Sequence, residues 1–281
     1  MFVKKVSDKI DKSIAIISNR DNLEFLKEIE DQSVNLIITS PPYNIKREYE
    51  KSLTHSEYLI AQEKVIFECI RILHDTGSIC WQIGTYANRK EKIPLDIILY
   101  PLFKKYGLYL KNRIVWHFGH GLHAKNSFSG RYETILWFTK SPSDYVFNLD
   151  PVRVPQKYPK KKYYDGDKKG LYSCNPLGKN PSDVWIIPNV KNNHVEKTVH
   201  PCQFPVGLVE RLVLSLSNPN DKVLDPYLGS GTTVIAAIKN GRQGIGCEII
   251  QKYYDISIDR VNTFFLGQLK TRPMNKPVLR T

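Results

Sequence analysis

An α/β fold with a mostly parallel sheet is predicted for this chain of 281 residues, and three features predict it. Apolar runs alternate with segments of helical period along most of the length, the pattern of βαβ units. One of those runs, 34–39, is almost continuously apolar, as a strand covered on both faces must be, and a second, 222–225, carries Val223 and Leu224. Each run is followed by a tight turn, Ser40-Pro41-Pro42-Tyr43 after the first and Gly229-Ser230-Gly231 after the second. Rigid or glycine-rich turns at strand carboxyl ends are where open α/β sheets carry their chemistry.

The elements follow in order. Residues 14–18 (Ile-Ala-Ile-Ile-Ser) read as a short strand. Residues 22–29 read as a helix with Leu23, Leu26 and Ile29 on one face, capped by Asp21 or Asn22. After strand 34–39, residues 46–55 are polar and irregular and read as a mobile loop beside the proline turn. Leu59, Val65, Ile66, Cys69, Ile70 and Leu73 recur at helical spacing and mark a helix over 57–73. Residues 77–83 are a further strand. A helix over 93–106 carries Pro94 in its first turn and is predicted to be interrupted by Pro101. Strands at 112–116 and 133–138 flank a loop rich in Gly, His and Ser, 118–130. From 141 to 199 the chain is rich in Pro, Lys, Asn and Tyr and loses periodicity. An irregular stretch of that length inside a folded chain is functional or disordered. Periodicity returns with helix 206–216, strand 222–225, helix 232–239, strand 243–248 and helix 251–264, then a basic tail. No internal repeat is present.

Composition narrows the class. The 41% hydrophobic and 25% charged content is that of an ordinary globular protein. The charge balance is not ordinary: 41 Lys+Arg against 28 Asp+Glu gives +13, which favours polyanionic partners. Five cysteines without a CxxC pair argue against a disulfide framework and a zinc site. No apolar run reaches membrane-spanning length and the start has no signal-peptide core, so a cytoplasmic protein is expected.

The late turn suits a nucleoside cofactor. Glycines let the backbone approach a ligand closely, and the following helix start offers free N–H groups. Glu248 ends the next strand, where an acid can accept hydrogen bonds from ribose hydroxyls. The spacing is neither GxxxxGK[ST] nor a full dinucleotide fingerprint. A cofactor without a phosphate group, such as S-adenosylmethionine, fits better.

The early turn suits an amine. Two prolines fix the backbone and remove two N–H donors, leaving carbonyl oxygens and the Ser40 hydroxyl as acceptors in one rigid place. An exocyclic amine on a nucleobase is a poor nucleophile because its lone pair is delocalised. Accepting its hydrogens favours a more tetrahedral nitrogen and aims that lone pair. Tyr43 is placed to stack on a base drawn out of a duplex.

Thr39-Ser40-Pro41-Pro42-Tyr43-Asn44 resembles the catalytic motif of the bacterial DNA amino-methyltransferases, and the run from Asp225 to Thr233 resembles their adenosylmethionine motif. His200-Pro201-Cys202-Gln203-Phe204-Pro205 is similar to the segment that completes their methionine pocket, and the run from Glu133 to Lys140 to a late strand of the catalytic half. Catalytic motif first, variable segment next and cofactor motif last is the beta-group order. The resemblance, spread over about 19–260, implies a seven-stranded mostly parallel sheet with helices on both faces, circularly permuted in sequence. It implies a catalytic half (1–140), an inserted irregular target-recognition region (141–199), a cofactor half (200–265) and a basic tail (266–281). It implies methyl transfer from S-adenosylmethionine to a base amine, with Ser40, Pro41, Pro42 and Tyr43 catalytic. Thr39, Phe204, Asp225, Tyr227, Gly229, Gly231, Thr232, Thr233 and Glu248 surround the cofactor, Asp225 holding the turn and the methionine ammonium, and no metal is needed. Ser40 at the head of the turn is typical of cytosine-N4 enzymes, where adenine-N6 enzymes more often carry Asp. Cytosine N4 is therefore preferred and adenine N6 is the alternative. The implied partner is double-stranded DNA in a bacterial cytoplasm, with a companion restriction endonuclease and a homodimer as further candidates.

Some features have plainer readings. Pro201-Cys202-Gln203 also resembles the nucleophile turn of cytosine-C5 enzymes, but there the cysteine follows the glycine motif, so Cys202 is expected to be a small buried residue. His117, His120 and His123 have no Cys or acid cluster beside them to hold a metal. In the basic, tyrosine-rich stretch 157–169, Lys160, Lys161 and Lys162 are expected to touch DNA phosphates.

Overall fold

The computed structural model describes residues 3–7, 14–45, 53–87, 91–119, 121, 123–191 and 193–276. In chain order the elements are β1 (Val3–Ser7), β2 (Ile14–Ser18), α1 (Asn22–Lys27), β3 (Val34–Thr39), α2 (His55–Ile72), β4 (Leu73–Ile83), β5 (Thr85–Ala87), β6 (Lys92–Pro94) and α3 (Leu95–Lys105). There follow β7 (Tyr109–His117), β8 (Tyr132–Thr139), β9 (Val184–Ile186), α4 (Val206–Leu216), β10 (Lys222–Asp225), α5 (Thr232–Lys239), β11 (Gln243–Cys247) and α6 (Gln251–Phe265). One sheet runs in the order β1-β2-β11-β10-β3-β4-β8-β7-β9. The central seven strands match the expected number. The sheet is extended at its edges by antiparallel β1 on β2 and by parallel β9 on β7, which makes nine. Among the described strands of this sheet, only β1 and β8 run against the rest.

The continuous apolar runs are explained by burial on both faces. Helices α1, α2 and α3 cover one face through Leu26, Ile66 and Leu99. Helices α4, α5 and α6 cover the other through Leu212, Ile235 and Val261. Aromatic rings pack together on the first face. Phe103 stacks on Phe138 with ring centroids 4.4 Å apart, and Trp81 meets Phe103 edge-on. Fully burying each such side chain contributes about 1.5–3 kcal/mol.

Several boundaries differ from expectation. Helix α2 begins at His55 because Thr54 and Glu57 form a reciprocal capping box, and it stops at Ile72, where β4 begins directly. Most of the loop expected over 46–55 lies outside the described residues. Pro101 does not interrupt α3, which runs through it. Ile97, whose carbonyl loses its partner, is 61% exposed and Pro101 is exposed as well, so the lost bond falls on the water side. Residues 85–94 contain a small antiparallel hairpin, β5–β6, too short to show a period.

Segment 141–199 is irregular, as expected, apart from a 3-10 turn at Asp150–Val152, strand β9 and isolated bridges such as Val154 to Lys179. It docks through buried Val152 and through Trp185, whose ring lies 4.9 Å from the Arg211 guanidinium. No helix among the described residues is long and apolar enough to cross a bilayer.

Candidate active site

Strands β3 and β10 are parallel neighbours, with Leu36 opposite Val223 and Ile37 opposite Leu224. Their carboxyl ends therefore reach the same sheet edge, and the proline and glycine turns emerge side by side. Asp225, the last residue of β10, stitches them together. Its Oδ1 accepts from Thr39 Oγ1 at 2.6 Å and from the Tyr227 N–H at 3.0 Å. Its Oδ2 accepts from Thr233 Oγ1 at 2.7 Å. The residue is 0% exposed, and burial pushes its carboxyl up to about 6 despite the three donors.

The glycine turn is held from behind. Gly229 and Gly231 have φ of +53° and +80°, a region that costs other residues roughly 1–2 kcal/mol. A Cβ on Gly231 would also lie 3.0 Å from Ser257 Cβ of α6. Arg260, also on α6 and 5% exposed, donates through Nη1 to the Ser230 carbonyl at 2.6 Å and to Thr232 Oγ1 at 3.1 Å. Burial pushes its guanidinium down to about 10. Glu248 accepts from the Gly229 N–H through Oε2 and from the Ile250 N–H through Oε1, both at 2.8 Å. Burial raises this carboxyl above its ordinary value.

The proline turn is held by its own partners. The Pro42 carbonyl accepts from Tyr58 Oη of α2 at 3.1 Å. Tyr43 Oη accepts from Gln82 Nε2 at 2.9 Å, donates to Glu133 Oε2 at 3.4 Å and lies 3.5 Å from Ser40 Oγ. Gln82 Nε2 also donates to Glu133 Oε2. Burial raises both the Tyr43 hydroxyl and the Glu133 carboxyl.

A cleft of about 610 Å³ opens between the turns. Ser40, Pro41, Pro42 and Tyr43 line one side, and Tyr227, Gly229, Thr232 and Glu248 the other, with Phe204 and His200 closing it. The His200 ring packs edge-on against Tyr253 with centroids 4.4 Å apart. Thr39, Asp225, Gly231 and Thr233 sit beneath the floor rather than on it. Asp225 holds the turn as expected, but its carboxylate is sealed there and offers no surface to an ammonium group. Lys160, Lys161 and Lys162 are exposed on segment 141–199 and do not line the cleft. Lys162 Nζ lies over the Tyr172 ring at 5.6 Å.

Cys202 departs from expectation. It is exposed at the cleft rim, while its neighbour Gln203 is buried and donates through Nε2 to the Glu196 carbonyl at 2.7 Å. Gln82 and Glu133 are site residues that sequence reasoning misses. Their signal is an amide in, and an acid at the head of, otherwise apolar strands. His117 ends β7, His120 lies outside the described residues, and no cluster among the described residues could hold a metal.

Comparison with known proteins agrees with this geometry. Residues 34–259 match the N6/N4 family described as DNA methylase. The chain is 52% identical over 242 residues to the type II methyltransferase M.BglII of Bacillus subtilis, covering 86% of this chain and 67% of that one. Among solved structures it resembles the cytosine-N4-specific PvuII DNA methyltransferase, with a TM-score of 0.69, 20% identity and coverage of 94% and 96%, which speaks for the fold alone. It also resembles TTHA0409 from Thermus thermophilus complexed with S-adenosyl-L-methionine, with a TM-score of 0.62, 26% identity and coverage of 90% and 93%. The matched stretch holds both turns and the buried aspartate that ties them, and the chain belongs to the N6/N4 DNA methylase family.

Proposed function

We propose that the protein is a site-specific DNA methyltransferase that moves a methyl group from S-adenosylmethionine to the exocyclic amine of a base turned out of the duplex, cytosine N4 in first place. The observation that carries this reading is the Thr39–Asp225–Thr233 tie, which sets the proline turn with its acceptors beside the glycine turn at one cleft.

The residues present fit the cofactor. Gly229 has no side chain where a Cβ would lie 3.1 Å from His200 Nε2, so backbone lines the cleft there. Glu248 lines the same wall and keeps carboxylate lone pairs beyond its two backbone bonds. Gly229, Glu248 and Phe204 would hold the cofactor, which when bound supplies an electrophilic methyl. Ser40 Oγ and the Pro41 carbonyl accept the two amine hydrogens and turn the nitrogen lone pair toward the glycine side. The Tyr43 ring stacks on the base, and Gln82 and Glu133 fix its hydroxyl so that the ring cannot swing.

Recognition is assigned to segment 141–199, where Lys160–Lys162 contact phosphates. The +13 charge supports this assignment. Similarity to a type II methyltransferase supports a role beside a restriction endonuclease. The acceptor turn serves adenine N6 equally well, since both amines are conjugated. Preference for cytosine rests on Ser40.

The test is to express the protein in a host free of other methylation, digest a resident plasmid to nucleosides and identify the modified base. N4-methylcytosine is expected. N6-methyladenine would overturn the base assignment, and no modified base would overturn the function.

A further inference from the structure

Loop 118–131 joins β7 to β8 at the sheet edge that carries the cleft. Its position is fixed by register: Thr134 near the start of β8 pairs with Ile83 at the end of β4, and His117 pairs with Tyr132. Phe118 at one end of the loop and Glu133 just past the other both line the cleft. At the outer part of this loop, Phe128 is 98% exposed. Other exposed phenylalanines such as Phe67 (48%) and Phe147 (42%) keep about half their surface covered.

The tip that presents this ring is built. Lys92 Nζ donates to Ser127 Oγ at 2.9 Å and to the Phe128 carbonyl at 3.3 Å. The Ala124 N–H donates to Ser129 Oγ at 3.0 Å, and the Phe118 N–H closes the base of the loop on the Arg131 carbonyl at 3.0 Å. The loop itself carries only cationic charge. Lys92 and Lys125 are exposed, Arg131 lies in the loop, and 118–132 contains no acid. An apolar ring held in water among cations has no apolar partner among the described residues. It suits a partner that offers phosphates around an apolar slot.

We propose that Phe128 is the wedge that enters the duplex where the target base has left it. The inference rests on the function proposed above. Drawing a base out of the helix costs its stacking and pairing and leaves an unfilled step opposite an orphaned partner. An apolar side chain inserted at such a step restores stacking and holds the duplex open. Phenylalanine carries no donor or acceptor, so the insertion is indifferent to sequence, and reading the site is left to segment 141–199. The basic flank of the loop holds the phosphates on either side. Phe128 is thus a positioning residue that acts through the base's location.

The experiment compares single-turnover methylation of two duplexes carrying the site mapped on modified plasmid. One is fully paired, and in the other the target base faces an abasic residue. Phe128→Ala should slow the paired duplex about tenfold or more, ~1.4 kcal/mol per decade. It should stay within about twofold of the unaltered protein on the abasic duplex, where eversion is already easy. Phe128→Trp should retain most of the rate on both. Because Phe128 is fully solvated, neither change threatens folding. Equal rates for Phe128→Ala and the unaltered protein on the paired duplex would overturn the wedge, as would an equal loss on both duplexes. If the unaltered protein methylates neither duplex, the functional reading itself falls.

Discussion

The turn after β3 and the turn after β10 occupy equivalent positions on adjacent parallel strands, yet they differ in chemistry. The first has its donors removed: Pro41 and Pro42 lack N–H groups, the Pro42 carbonyl is taken by Tyr58, and Ser40 Oγ and the Pro41 carbonyl remain to accept. The second is a glycine turn at positive φ leading into a helix N-terminus. The first side keeps free acceptors, whereas the amides of Gly229 and Gly231 are already bonded to Glu248 Oε2 and the Leu228 carbonyl, so the second side presents close-packed backbone and the Glu248 carboxylate. A buried carboxylate that bonds to both sides keeps the two turns in register.

Substitutions should separate the two turns. The largest effect is expected at Ser40. Ser40→Ala removes one preorganised acceptor and should lower kcat by roughly 10²–10³, while equilibrium dialysis finds S-adenosylmethionine bound as before. Loss of cofactor binding in that variant would merge the two turns into one function.

Asp225 comes next. Its carboxyl titrates at about 6 in the fold against an ordinary 3.8, so the native state holds that proton more tightly than the unfolded chain. The group favours folding most below about pH 4, and that contribution declines as pH rises to about 6. Chemical denaturation of the unaltered protein and of Asp225→Asn, compared between pH 4 and 7, should show the difference falling by about 3 kcal/mol. A rising difference would mean that the three donors outweigh burial.

Glu248→Ala should leave two backbone N–H groups of the glycine side unpaired, costing about 1–3 kcal/mol. It should weaken cofactor binding in dialysis with little change in kcat at saturation. Smallest of all, replacing Lys160, Lys161 and Lys162 by Ala should reduce the salt slope of DNA binding by roughly 0.9 for each phosphate no longer neutralised, and leave cofactor binding untouched.

Much of this arrangement is legible in the sequence. The doubly covered strand β3 announces itself as an almost continuous apolar run, and the two turns carry residue types that few other roles require. Asp21 caps α1 as its side chain allows, accepting from the Leu23 and Glu24 N–H groups. What is hidden depends on three-dimensional closeness. Thr39 and Asp225 are 186 positions apart, and nothing local says that their side chains meet. Gln82 and Glu133 lie on strands whose pairing register brings them to Tyr43, and that register follows from the sheet as a whole. Strands β5, β6 and β9 have three residues each, below the length at which alternation can be seen. Pro101 signals a break in isolation, but the exposed face of α3 tolerates it.

The central claim is spatial and chemical at once: the proline turn and the glycine turn face each other across a base amine and a methyl donor. A crystal structure with S-adenosylhomocysteine and a duplex containing the mapped site tests it directly. The target amine should be found hydrogen-bonded to Ser40 Oγ and the Pro41 carbonyl, with the homocysteine sulfur on the Gly229 side in line with that nitrogen. A base still stacked in the duplex, or an amine held by other groups with the sulfur outside this cleft, would contradict it.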